Sequence, residues 1–458
     1  MRLNEAIKQY SGLKYIVDSL ELLSSPGRQL LLGQEMNVDP QSIRKSLDEI
    51  RLFSEWRNCE ENKKYAQRLE NAVMRLRDIS FTLENLSKGN VIDDIELFEI
   101  KSLALLSEDI RRITTEGNLD LFSFPELNKV VEILDPENTH TPYFYIYDAY
   151  SPELGDIRKR LKVTEVDTPE AASLFAEAVE IENTIRKELS QKLRIYASDL
   201  KRMLNLVASL DIVIAKVKLN QKEGLSCPEI TLEEKTEWKG LFNPAVKESL
   251  RLQNKVYQPI DFDVVEGVSL VTGANMGGKS VLLKTLALGQ LMVQFGFFVP
   301  ASHAVVSPVE EIYLCTGDSQ SEFSGLSSFA AEIIKINEAV LAVRKNERLL
   351  VLIDEPARTT NPEEGRAITS SLLEFFSRRK ALAVITSHYS GLKASRRLRV
   401  KGLSGRDLPE NADARDISSL MDYSLEEDSG LIPPREAIRV AGILGVDPEI
   451  LEGAKKCL

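Results

Sequence analysis

The chain has 458 residues, enough for two or three domains, and a formal net charge of −12. Such an acidic balance argues against a dedicated nucleic-acid binder with a basic footprint, although a local patch can sit inside an acidic total. The four cysteines, Cys59, Cys227, Cys315 and Cys457, lie far apart without CxxC spacing. Neither a zinc site nor a disulfide framework is indicated, and a reducing, cytoplasmic setting is expected. The first thirty residues are too polar for a signal peptide, and no run of eighteen apolar residues marks a membrane span.

From residue 1 to about 235 the chain is charged, leucine-rich and helical in period. Amphipathic patterns occupy Leu13 to Leu23, Gln41 to Phe53 and Asn62 to Leu86. The longest runs from Ile181 to Ile214, where Ile185, Leu189, Leu193, Ile195, Leu200, Leu204 and Leu210 recur between charged residues, and it reads as one long helix. Breakers stand at Ser24-Ser25-Pro26-Gly27, Asp135-Pro136-Glu137-Asn138 and Ser151-Pro152. Tyr143-Phe144-Tyr145-Ile146-Tyr147 reads as a short strand or buried turn; with no interleaved basic residues, core packing outweighs base stacking. From residue 236 short β-branched runs alternate with helical stretches, an α/β pattern.

Within that second half, Gly273-Ala274-Asn275-Met276-Gly277-Gly278-Lys279-Ser280 is a complete G-x-x-x-x-G-K-[ST] phosphate loop. The β-branched run Gly267 to Thr272 precedes it and the apolar stretch Val281 to Phe295 follows it, which is the strand–loop–helix context the motif needs. Glycines let successive N–H groups turn toward phosphate oxygens, and the helix N-terminus adds positive potential. Lys279 is placed to reach the β- and γ-phosphates of ATP, and the Ser280 hydroxyl to ligate Mg²⁺. Further on, the apolar run Leu349 to Ile353 ends in Asp354-Glu355. A strand buried on both faces suits a parallel sheet, and its C-terminal edge is where ligands of such sheets sit. Asp354 is placed for the Mg²⁺ shell and Glu355 to activate the attacking water. A third strand, Ala381 to Thr386, leads to His388, one of only three histidines, placed to sense the γ-phosphate or orient water.

Val271 to Ser280 closely resembles the phosphate loop of the MutS family of ATPases. The resemblance continues in Gly296-Phe297-Phe298-Val299-Pro300-Ala301, in the signature-like Ser327-Ser328-Phe329 with Glu332, and in Asp354-Glu355 through Arg358-Thr359-Thr360 and Gly365. His388-Tyr389 and the tail from Ala437 to Ala454 also match. Before residue 236 the likeness is looser: Ser24 to Leu31 resembles the opening helix of the family's core and lever region, Leu210 to Ala215 its returning lever helix, and Gly240 to Val246 the strand that opens the ATPase domain.

The resemblance implies a multidomain α plus α/β protein: a helical core and lever region over 1–235, then a P-loop ATPase domain over 236–458 with a helical C-terminal end. It implies an ATP site formed by residues 273–281, from Gly273 to Val281, and completed by Ser327 and Ser328 of a partner subunit, hence a homodimer through ATPase domains. Mismatch-repair members carry mismatch-reading and connector domains, for which this sequence leaves no room ahead of its core-like segment, and the clamp is expected to be reduced or absent. The loop Pro356 to Pro362 lacks their glycine-containing run, and Val281 stands where they usually have threonine. Two client classes remain open. One is branched or distorted DNA, with Lys393, Arg396, Arg397, Arg399 and Lys401 as candidate phosphate contacts or, on the plainer reading, a solvated face or partners of nearby carboxylates. The other is a protein client, which the acidic balance and the missing DNA-reading parts fit better: short relatives with Thr-Thr-Asn-Pro after Walker B resemble the ATPase subunits of adenosylcobalamin-dependent aminomutase reactivation.

Overall fold

The computed structural model describes residues 1–141, 143–273, 277–316, 328–345, 348–403, 421–428 and 436–457. Contacts divide the chain into two compact units: residues 20–34 with 48–218, and residues 1–19, 35–47 and 219–458. The division differs from a single cut near residue 235, because the N-terminal helices α1 (Leu3–Gln9) and α2 (Ser11–Asp18) belong with the α/β segment.

The helical unit holds α3 (Ser25–Gly33), the latter part of α4 (Pro40–Asn58), α5 (Lys63–Val73), α6 (Ser80–Lys88), α7 (Asp94–Glu116), α8 (Asn128–Leu134), α9 (Pro152–Val163), α10 (Pro169–Arg194) and most of α11 (Ala197–Glu223). Local chemistry explains where several begin. Ser24, Ser151 and Thr168 each accept a backbone N–H with a side-chain oxygen, and proline follows within the first two helical positions. The breakers Ser24-Ser25-Pro26 and Ser151-Pro152 are therefore helix starts. Asp93 and Glu96 form a reciprocal capping box on α7.

Helical periodicity carried through two breaks that it could not reveal. Asn62 to Leu86 is two helices, since the Asp78 carboxylate accepts the Ser80 N–H at 3.1 Å and starts α6 afresh. Leu76 and Ile79 in the connection stay buried, so the apolar rhythm continues across it. Ile181 to Ile214 is likewise split: the Tyr196 N–H bonds the Leu193 carbonyl at 2.9 Å, three residues back, and Ile195 is 76 % exposed. The stretch from Leu13 stays helical only to Asp18. Residues 143–147 form no strand; Ile146 and Tyr147 are buried while Tyr143 and Tyr145 are exposed.

One polar anchor of the helical unit is Asp211, fully buried on α11. Its carboxylate accepts the Leu23 and Ser24 N–H groups at 2.9 and 2.8 Å and the Ser24 hydroxyl at 2.6 Å. Gly27 packs so close that a Cβ there would collide with that carboxylate. Burial pushes the Asp211 carboxyl up, while the Ser24 and Leu23 donors oppose the shift.

In the other unit, β1 (Glu229–Ile230), β2 (Lys235–Leu241), β3 (Ile260–Val265) and β5 (His303–Val306) make a four-stranded sheet in the order β1-β5-β2-β3. A six-stranded sheet is ordered β10-β9-β4-β8-β7-β6. Its members are β4 (Gly267–Thr272), β6 (Glu311–Cys315), β7 (Leu349–Ile353), β8 (Leu382–Ser387), β9 (Arg396–Leu403) and β10 (Met421–Glu427). All pairings are parallel except β9 with β10. Strands β4, β7 and β8 are buried at every position, as sheets covered on both faces require. Helices α12 (Pro244–Leu252), α13 (Lys279–Gln294), α14 (Ser328–Arg344), α15 (Pro362–Arg378), α16 (Glu436–Ile443) and α17 (Pro448–Lys456) complete the unit. No helix among the described residues is long and apolar enough to cross a membrane.

Replacing Asp211 with alanine strands the Leu23 and Ser24 donors in the interior. Urea unfolding of the Asp211→Ala protein is expected to lose about 2–4 kcal/mol in the transition that reports the helical unit. An unchanged midpoint would show that the carboxylate is not an anchor.

Candidate active site

Parallel register brings the three motif-bearing strands to a common edge. Thr272 at the end of β4 pairs with Ser387 of β8, and Ile353 at the end of β7 pairs with Ile385. The phosphate loop, the Asp354-Glu355 pair and His388 therefore leave the sheet side by side, at the C-terminal edge where open α/β sheets bind ligands.

The loop's described glycines have geometric reasons. Gly273 leaves β4 with φ 145°, and a Cβ there would come within 3.1 Å of Val400 on β9. Gly278 enters α13 with φ 74°, a left-handed conformation, and packs against the Tyr423 ring of β10, which a Cβ would approach to 3.1 Å. Gly277 is buried beside it. Ala274, Asn275, Met276 and Ser327 lie outside the described residues, as does the side chain of Ser328, whose backbone opens α14.

Lys279, only 4 % exposed, occupies the first turn of α13. Its Nζ donates to the Gly273 carbonyl at 2.8 Å and lies 3.2 Å from the Glu355 carboxylate. The next residue, Ser280, donates its hydroxyl to Asp354 Oδ2 at 2.5 Å. Val281 is half-buried, and its backbone carbonyl accepts the Thr285 hydroxyl. Its side chain joins no polar contact of the cluster.

Asp354 is held from several sides. Its N–H donates to the Cys315 carbonyl at 2.8 Å, and its Oδ1 accepts the Thr386 hydroxyl at 2.6 Å. That same Thr386 oxygen accepts the Glu355 N–H at 3.0 Å. Thr386 thus fixes the directions of both acidic residues. Sequence reasoning treated it only as the end of a strand; the one available signal was a hydroxyl two positions before His388.

Glu355 follows with φ 45° and Ala357 with φ 59°, both left-handed conformations that cost non-glycine residues about 1 kcal/mol or more. The backbone so turned brings the Glu355 carboxylate against three nitrogen groups. Besides Lys279, His388 Nδ1 stands 3.7 Å away and an Arg358 nitrogen 3.6 Å away. His388 is 41 % exposed, so its other face is open to solvent.

ATP and Mg²⁺ are the groups this site implies, and the donors fit them. Ser280 and Asp354 present a hydroxyl and a carboxylate, hard oxygens suited to Mg²⁺, which binds through few protein ligands and retains water and phosphate oxygens. The nearly buried Lys279 ammonium at a helix N-terminus suits a phosphate.

The basic run is largely spoken for by β10 and the residue after it. Arg397 pairs with Asp428 at 3.0 Å, Arg399 with Glu426 at 2.6 Å, Arg396 with Glu427 at 3.7 Å and Lys401 with Asp422 at 3.9 Å. This is the carboxylate-paired alternative of the two readings of that run. Thr359-Thr360-Asn361-Pro362 also has a local purpose, since the Asn361 side chain caps α15 and Pro362 opens it.

The MutS domain V family model matches residues 269–458, which include every site residue described above. Endonuclease MutS2 of Lactobacillus helveticus is 31 % identical over 292 residues, covering 62 % of this chain and 34 % of that protein. Endonuclease MutS2 of Thermus thermophilus is 32 % identical over 278 residues, with 60 % and 35 % covered. That of Carboxydothermus hydrogenoformans aligns with 95 % of this chain at 25 % identity, over 62 % of its own length. The chain spans about a third of the length of the first two of these relatives. The phosphate loop, the paired acids and the strand-end histidine thus converge inside a segment that matches MutS domain V, and the chain is similar to members of the MutS family.

Proposed function

We propose that this chain hydrolyses ATP with Mg²⁺ as a homodimer and couples its nucleotide state to movement of its helical unit on a client. The observation that supports this best is the convergence of Lys279, Ser280, Asp354 and Glu355 at one strand edge, with Lys279 and Glu355 in direct contact at 3.2 Å. In this reading Lys279 exchanges its Glu355 and Gly273 partners for phosphate oxygens. Ser280 and Asp354 would hold Mg²⁺, which would supply positive charge to offset that on the phosphates. Glu355, released from Lys279, accepts the proton of the attacking water, with His388 beside it to orient that water. Ser327 and Ser328 complete the partner's site, so two ATP-bound subunits close on each other.

The client we favour is nucleic acid. The MutS2 relatives are named endonucleases, and one of them aligns with 95 % of this chain. Nuclease action itself is not carried over, since this chain covers only about a third of the length of the first two relatives. Contacts to DNA would come from outside the strand β9 run, whose arginines already face carboxylates. A protein client such as an aminomutase is the second reading. It rests on the Thr-Thr-Asn-Pro stretch, for which capping of α15 is a sufficient reason.

Lys279→Ala is expected to weaken ATP binding at least about 100-fold by titration calorimetry, since a phosphate-facing charge is lost. Retained tight binding would show that the loop is misread. Glu355→Ala should keep ATP affinity and slow single-turnover hydrolysis by about 10²–10⁴-fold. Rapid turnover by that variant would remove Glu355 from the role of base. Thr386→Val, which frees both acids from one hydroxyl, should slow hydrolysis by about tenfold. The client is tested with the Glu355→Ala protein and ATP, on homoduplex, mismatched and branched DNA over a salt series. Structure-preferring, ATP-dependent binding that weakens steeply with salt supports the nucleic-acid reading. No binding even at low salt discards it in favour of a protein client.

A further inference from the structure

The peptide of Ala357, two residues past the catalytic glutamate, is gripped at both ends. Its N–H donates to Glu332 Oε1 on α14 at 2.9 Å. Its carbonyl accepts the Tyr389 hydroxyl, from just beyond β8, at 3.2 Å. Ala357 is fully buried and left-handed, with φ 59°, and Glu355 has φ 45°. Nothing local favours these conformations in alanine and glutamate, so outside contacts must hold them. Gly365 of α15 closes the grip: a Cβ there would collide with the Tyr389 hydroxyl and lie 2.8 Å from the Ala357 carbonyl.

We infer that Glu332 and Tyr389 are positioning residues for hydrolysis, which hold the Ala357 peptide and through it aim the Glu355 carboxylate. Glu332 sits one turn into α14, the helix that Ser328 opens, so displacement of that helix end pulls directly on the Glu355 loop. This deepens the proposed function and rests on its assignment of Glu355 as base.

The electrostatics agree with a shared cluster. Burial raises the Glu332 carboxyl, with the Ala357 N–H and Arg358 opposing. Burial, then the Glu332 and Glu355 charges, raise the Tyr389 phenol. Arg358 thus faces both carboxylates, one of them at 3.6 Å.

The test compares single-turnover hydrolysis and ATP affinity of the full chain with Mg²⁺ in Glu332→Ala, Glu332→Gln, Tyr389→Phe and Glu355→Gln. Glu332→Ala should slow hydrolysis about 10–100-fold while ATP affinity stays within about twofold, the signature of lost aim rather than lost binding. Glu332→Gln should recover most of the rate, because its amide oxygen accepts the same N–H. Tyr389→Phe should slow hydrolysis about 3–10-fold. Wild-type turnover by Glu332→Ala, a proportional loss of affinity and rate, or a Gln variant as slow as Ala would overturn the inference. If Glu332→Ala does not fold, Tyr389→Phe decides, since it removes one hydroxyl; an unchanged rate overturns the grip. Glu355→Gln separates the two levels. Wild-type hydrolysis by that variant brings down the base assignment and this inference with it, whereas an inert Glu355→Gln beside an unimpaired Glu332→Ala brings down only the inference.

Discussion

Asp354 carries two hydroxyl bonds, one from Ser280 at the head of the phosphate-loop helix and one from Thr386 at the end of β8. Three elements distant in sequence are tied at that carboxylate, and the geometry of the candidate site depends on it. The Ser280 bond links the first turn of α13 to the end of β7. The Thr386 hydroxyl also receives the Glu355 N–H, so the direction in which the chain leaves β7 is decided at the same point. A carboxylate with two charge-assisted bonds is also a ready-made position for a cation, because Mg²⁺ can take up the oxygens those hydroxyls now occupy.

Beyond Asp354 the backbone departs from ordinary conformations. Left-handed Glu355 and Ala357 store strain that extended or helical backbone would not. The surroundings hold that strain: Glu332, Tyr389 and the close approach of Gly365 on one side, and Lys279, Arg358 and His388 around the Glu355 carboxylate on the other. The arrangement is poised. Lys279 bonds the Gly273 carbonyl and stands 3.2 Å from the Glu355 carboxylate, and under the proposed function a phosphate would displace both.

The helical unit follows the same logic with a different outcome. Asp211 is buried among donors from Leu23 and Ser24, and Gly27 has no side chain because that carboxylate fills the space. Here a buried acid serves architecture, joining α11 to the start of α3 across 187 residues. The two acids differ in what surrounds them. Asp211 is sealed by backbone donors and packing, whereas Asp354 sits at an edge where its hydroxyl partners can be exchanged.

The phosphate loop, the strand ending in Asp354-Glu355 and the strand leading to His388 were legible in the sequence, because each couples a buried apolar run to residue types that phosphate chemistry demands. Strands β4 and β7 stand at the ends read from those runs, and β8 within one residue. Periodicity also found the helical regions, but not the breaks at Asp78 and Tyr196. An apolar rhythm runs on when connecting residues such as Leu76 stay buried, and the bonds that end a helix leave no mark on it. The roles of Thr386, Glu332 and Tyr389, and the pairing of the β9 arginines with β10, were decided only in the folded chain. Each depends on which strand lies beside which and in what register, and that choice is made by long-range packing that a linear spacing does not encode.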